Sequence, residues 1–166
     1  MAAEPASFAA RLRAATAEHH RQAETTPFVR DLLAGMLPLS AYALLASQHW
    51  FVYDALERVA DQHTDDDLLT PFLALPVRRL PRLQDDLGHL VGRDWAERIE
   101  ALPATRRYVD RLETVAAASA PAFLAHHYTR YLGDLAGGQA VVVAEARAAF
   151  GCNTAMFADL AAAMRV

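Results

Sequence analysis

The chain has 166 residues, 54% of them hydrophobic, which is enough for one core, so residues 1–166 are expected to form a single domain. Its formal net charge is −4 and its 16 basic residues, every one an arginine, are scattered, so nothing points to nucleic acid or to a polybasic membrane patch. A lone cysteine, Cys152, excludes an internal disulfide. With no basic leader and no apolar run of membrane-spanning length, the expectation is a cytoplasmic protein.

Alanine and leucine dominate and apolar residues recur at helical spacing, which predicts an all-α domain. Ser7 suits an N-cap for a first helix that carries Phe8, Leu12, Ala15, Thr16 and Ala23 on one face until Pro27. A short helix is expected from Phe28 to Ala34, stopping at Gly35. Ser40 then caps a long helix to about Gln62, with Tyr42, Leu45, Trp50, Tyr53, Leu56 and Val59 as buried candidates. Residues 63–67 read as a solvated turn.

Further helices are expected over about Arg79 to Val91, closed by Gly92, and from Asp94 to Ile99. Pro103 suits the first turn of another that reaches Ala118. Ser119, Ala120 and Pro121 form a joint into a helix that continues toward Gln139, and the last segment, Val141 to Met164, is amphipathic with an interruption expected near Gly151 to Asn153. No repeat and no dividing linker is present.

The stretch from His126 to Gln139 sets Gly133, Gly137 and Gly138 into a helical pattern. Each interior glycine costs a helix about 1 kcal/mol relative to alanine. Gly133 and Gly137, four apart, bare one side of the backbone, where either a flat group or a second helix could approach closely. Asp134 sits beside the first gap, with Tyr128 and Arg130 shortly before it.

Of the seven histidines, His49, His63, His89, His126 and His127 read as surface or hydrogen-bonded residues. On the first helix, at 100° per residue, His19 falls near the middle of the apolar face and His20 toward its edge, so helix geometry alone favours His19 as a ligand.

The string Tyr128-Thr-Arg-Tyr-Leu-Gly-Asp-Leu-Ala-Gly-Gly-Gln139 closely resembles the distal-helix signature of the haem (heme) oxygenase family. Leu12-Arg-Ala-Ala-Thr-Ala-Glu-His-His-Arg-Gln-Ala-Glu24 is similar to the family's proximal helix, where a threonine, the axial histidine and a glutamate recur at intervals of four, here Thr16, His20 and Glu24. The resemblance implies a helical bundle of the haem oxygenase type and makes His20 the iron ligand, with His19 as runner-up. Haem, iron protoporphyrin IX, would be both cofactor and substrate, opened by O2 to biliverdin, carbon monoxide and ferrous iron.

The same resemblance gives the remaining residues their roles. Glu24 would fix the imidazole tautomer, although a solvent-facing glutamate accounts for it equally. Gly133 and Gly137, with Gly138, would leave room over the ring. Asp134 would hold water that delivers a proton, supported by Tyr53 on the neighbouring helix and by Arg130. A core tyrosine and a surface ion pair are the plain alternatives for those two. Arg13 and Tyr128 would meet the propionate edge, or else be a solvated cation and a packed aromatic.

The likeness runs from about Leu12 to Gln139 and resumes at Val142 to Asn153, which looks like the family's final helix. Most members carry several dozen further residues between these pieces, including cationic residues that grip the propionates, so weaker haem affinity is implied here. No nucleotide or flavin motif occurs, so electrons would come from a ferredoxin or a reductase. The competing expectation is a haem-binding, storage or relay protein that leaves its ligand intact. A carboxylate-bridged metal pair is disfavoured, because no Glu-x-x-His spacing occurs in the chain.

Overall fold

Ser7 begins the helical structure as the sequence suggests: its Oγ accepts the Ala10 N–H at 3.3 Å and starts α1 (Phe8–Glu24). In this computed structural model, which describes residues 7–63, 65–73, 78–131 and 139–164, the elements among the described residues are all helices. Pro27 opens α2 (Pro27–Leu33), one residue before the expected start, because its fixed φ and missing N–H suit a first helical position. Gly35, at φ +69°, turns the chain out of α2.

The long helix α3 (Leu39–Asp61) is capped by Pro38 and not by Ser40. Pro38 is extended (φ −69°, ψ 161°) and its carbonyl accepts the Ala41 N–H at 2.9 Å, which places Ser40 inside the first turn. Tyr42 is also a correction. It is 44% exposed beside Leu33, Met36 and Leu39, whereas Leu45, Leu56 and Val59 are buried as expected and Trp50 and Tyr53 are half-buried.

The acidic turn after α3 is more than solvated loop. Asp66 accepts the N–H groups of Leu68 (2.8 Å) and Leu69 (3.1 Å), an Asx-type turn that drives Leu69 into the core and leads into the unforeseen α4 (Thr70–Leu73). Next come α5 (Leu80–Leu90) and α6 (Trp95–Arg98). Gly92 lies between them at φ +117°, where a Cβ would meet the Asp94 carboxylate at 3.0 Å.

After α7 (Pro103–Ala118) a single extended residue, Ser119, separates it from α8 (Ala120–Tyr131). The final helix, α9 (Gln139–Ala163), runs without interruption through Gly151. Gly151 faces open space, so no packing partner forces a break, while its neighbour Asn153 is buried and bonded.

Helices α1, α7 and α8 pack on α9, and α3 packs on α5 and α7. The main core gathers Leu12, Val52, Leu56, Leu69, Tyr108, Leu112 and Phe123, and a second cluster joins Phe28, Leu45, Met156 and Leu160. Two buried polar side chains of α3 pin the segments beside it. Gln48, fully buried, donates to the Glu100 carbonyl (3.0 Å) and accepts from Leu102 N–H (2.8 Å), while Glu57 accepts the N–H groups of Arg79 (2.6 Å) and Leu80 (3.1 Å). Among the described residues no helix is long and apolar enough to cross a membrane.

Replacing Gln48 by leucine strands one carbonyl and one N–H in a part-buried setting, so Gln48→Leu is expected to lower unfolding free energy by about 2 kcal/mol, read from urea denaturation at unchanged m-value.

Candidate functional site

On α1 the residues at positions 13, 16, 17, 20 and 24 share one face by helical spacing. The first four of them, Arg13, Thr16, Ala17 and His20, form one wall of a cleft of about 490 Å³, within the about 300–1,000 Å³ of ordinary ligand pockets. Tyr128 and Thr129 from α8 and Phe150 from α9 complete the lining. The Thr16 hydroxyl is turned back onto the Leu12 carbonyl at 2.9 Å, so its methyl carbon rather than a free donor is available to the cleft.

His20 is held from two sides. Its Nδ1 lies 3.2 Å from the Glu24 carboxylate, one turn on, and its ring meets Phe150 edge-on at 5.3 Å between centroids. A carboxylate on Nδ1 fixes that nitrogen as the protonated one and leaves Nε2 as the lone-pair donor. The neighbouring His19 is more buried than His20, and its Nδ1 is sealed from solvent with no hydrogen-bond partner. The imidazole that lines the cleft is therefore the one at the edge of the apolar face.

Among the described residues the lining of the cleft offers one histidine and no cysteine or carboxylate. Among the described residues no three His, Cys, Asp or Glu side chains converge. A metal held here would gain a single protein ligand and would have to bring the others with it, as a metal in a macrocycle does. Arg13 places a guanidinium on the same wall, suited to a carboxylate edge.

The other expected residues meet beside this cleft, in a half-buried polar cluster among α3, α7, α8 and α9. The Tyr53 hydroxyl donates to the Arg130 carbonyl at 3.4 Å. The Arg130 guanidinium lies over the rings of Tyr53 (5.8 Å) and Tyr108 (5.3 Å) and donates to the Asn153 side-chain oxygen. Burial pushes the Tyr108 phenol up and the Arg130 charge partly offsets it.

The structure thus brings Arg13, His20 and Tyr128 to the cleft, Glu24 onto the His20 ring from outside the lining, and Tyr53 and Arg130 to the adjoining cluster. Gly133, Asp134, Gly137 and Gly138 lie outside the described residues. Sequence reasoning missed Phe150, Asn153 and Tyr108. Asn153 had a visible signal, a polar residue on the core-facing side of the last helix; the other two read as ordinary core.

Of the histidines read as surface or hydrogen-bonded groups, two are buried and not at the surface. His126 is fully buried against Tyr108 (5.6 Å between centroids), and His127 is buried between Phe123 and Tyr131. Burial pushes His127 down to about 4, and burial together with the Arg130 charge pushes His49 down to about 3. Both imidazoles are neutral in the native protein.

Comparison with known proteins places these features in a family. The model of the Heme oxygenase family matches residues 6–142. Heme oxygenase 2 of Synechocystis sp. is 35% identical over 135 residues, 81% of this chain and 54% of that protein. Heme oxygenase of Guillardia theta is 36% identical over 133 residues, covering 80% and 56%, and Heme oxygenase 1 of Gallus gallus is 37% identical over 129 residues, covering 77% and 44%. The chain spans about half the length of these curated relatives. In shape it is similar to the crystal structure of Synechocystis heme oxygenase-1 in complex with heme, at TM-score 0.82 and 26% identity over 96% of each chain. It is also similar to Synechocystis heme oxygenase-2 in complex with heme and NO, at TM-score 0.83 and 27% identity over 93% of this chain and 85% of that one.

The two depressed imidazoles set an acid limit. An unfolded histidine takes up a proton near pH 6.5, whereas His127 and His49 refuse it until about 4 and about 3, so their contribution is fully present above 6.5 and is lost as pH falls. Between pH 6.5 and 4 each costs the native state about 1.4 kcal/mol per pH unit. Urea unfolding followed across that window is expected to show a falling midpoint, and His127→Phe should flatten the slope by about one such increment.

Proposed function

Because the chain belongs to the haem oxygenase family, we propose that it binds haem in the cleft between α1 and α8 and cleaves it oxidatively to biliverdin, carbon monoxide and ferrous iron, in iron acquisition or haem turnover. The observation that carries this reading is the His20 imidazole, its Nδ1 engaged by Glu24 and its ring lining a cleft where the described residues offer no second histidine, cysteine or carboxylate. The macrocycle, when bound, supplies an iron that takes up O2 and a carbon edge that is oxidised.

The protein's own part is positioning and proton supply. His20 would give the iron one nitrogen ligand, with Glu24 holding its tautomer. Phe150 keeps the ring from rotating. Arg13 pairs with a propionate at the rim. Tyr53 and Arg130, joined through the Arg130 carbonyl, form the polar side that orders water for Asp134, the proton donor in this reading. Gly133, Gly137 and Gly138, which lie outside the described residues, are read from the family resemblance as leaving room over the ring. The same reading makes residues 1–166 a single domain working in the cytoplasm, with electrons from a ferredoxin or a reductase.

Purified protein is expected to take up one equivalent of hemin. With a reductant and oxygen the Soret band should then decay with release of carbon monoxide; a band that persists under those conditions would identify a binder that does not degrade its ligand. His20→Ala is expected to abolish the five-coordinate ferrous spectrum while His19→Ala keeps it, and the opposite result would move the ligand to His19.

A further inference from the structure

Glu57 is a buried carboxylate to which the reading above gives no task. It stands one turn after Tyr53 on α3 and is 5% exposed. A single oxygen of it, Oε1, accepts from three donors on two other segments: Arg79 N–H at 2.6 Å, Leu80 N–H at 3.1 Å and the Tyr131 hydroxyl at 2.9 Å. Arg78 lies 3.9 Å from Oε2, drawn mainly toward Asp61. The two backbone donors belong to the start of α5 and suffice to explain a structural carboxylate. The third donor does not follow from capping α5.

Tyr131 is the last residue of α8, next to Arg130. Its ring is packed between Tyr53 (5.2 Å) and His127 (4.5 Å), so its hydroxyl has one direction to point. Tyr53 grips the carbonyl of Arg130 and Glu57 grips the side chain of Tyr131, so consecutive residues of α8 are held by consecutive turns of α3. The hydroxyl keeps its proton, because burial and the Glu57 carboxylate both push the phenol up.

We propose that Glu57 is a positioning residue for Arg130: by holding the Tyr131 hydroxyl it fixes the last turn of α8, and with it the guanidinium's place among Tyr53, Tyr108 and Asn153. Its bearing on turnover rests on the haem-cleaving reading, whereas the positioning itself does not, so the test is made on hemin-free full-length protein.

The readout is the Arg130 Nε–Hε NMR resonance, identified by its loss in Arg130→Lys and displaced by the Tyr53 and Tyr108 ring currents, together with amide exchange in α5 and α8. Tyr131→Phe and Glu57→Leu are expected to move the resonance alike and to speed exchange in the last turn of α8 about tenfold. The double variant should add nothing to either. Glu57→Gln, whose amide oxygen can take the same three donors, should leave the resonance in place. If Tyr131→Phe left the Arg130 resonance unmoved and Glu57→Leu loosened only the first turn of α5, Glu57 would be a cap for α5 and the proposal would fail. Hemin uptake by the unaltered protein, measured in parallel, separates this failure from failure of the haem reading.

Discussion

Arg130 carries a charge that no accessible pH removes into a space shared by four helices, and the packing around it has to answer that charge. It does so without a carboxylate among the contacts described: two tyrosine faces from α3 and α7 and the amide oxygen of Asn153 from α9 surround a guanidinium that α8 supplies. Aromatic faces and a neutral acceptor are weaker partners than a carboxylate, worth about 0.5–2 kcal/mol each. Among the described residues the charge also reaches a neighbour: burial is the larger cause of the depressed His49, and the Arg130 charge adds to it. A buried ion pair would have been more comfortable and electrostatically silent. The arrangement keeps a positive field beside the cleft, and it fixes the mutual placement of the helices that wall it.

Much of the helical frame was legible because the determinants are local. Ser7 caps through its own hydroxyl, Gly35 and Gly92 stop helices through positive φ, and Pro103 opens α7 by its fixed φ. The misjudged boundaries are those where two local signals compete. Ser40 has the better capping side chain, yet Pro38 two residues earlier already holds extended backbone and offers its carbonyl, so the helix starts before the serine is reached. Gly151 carries a helix-breaking propensity of about 1 kcal/mol, but a 25-residue helix packed on α1, α7 and α8 absorbs it. The α4 turn depends on Asp66 folding its carboxylate onto the amides of Leu68 and Leu69, a choice between turn and solvent that composition alone leaves open.

The candidate site divides in the same way. Thr16, His20 and Glu24 lie at intervals of four on one helix, so the contact between imidazole and carboxylate follows from sequence spacing alone. Phe150 and Asn153 reach the site from a helix more than a hundred residues later and could be recognised only after α9 is docked. The contrast between His19 and His20 has a general cause. The centre of an amphipathic stripe faces the core, where a side chain is enclosed by its neighbours, while a cleft opens along the margin of the stripe. A wheel that ranks residues by centrality thus selects the better-buried histidine and passes over the one a ligand can reach.

The charges on the described wall of the cleft bear on how it could hold a large flat ligand. Of the described lining residues, Arg13 alone is a permanent cation, so a dianionic edge would find one guanidinium there. Electrostatic anchoring at a partly exposed rim is worth little under physiological salt, since a pair of that kind contributes about 0–1 kcal/mol. Orientation about the axis through the metal would then be set mainly by shape, from Phe150 on one side and Tyr128 on the other. Fixation of the imidazole by both a carboxylate and an aromatic edge then adds to the pre-organisation of the wall that such a ligand would meet.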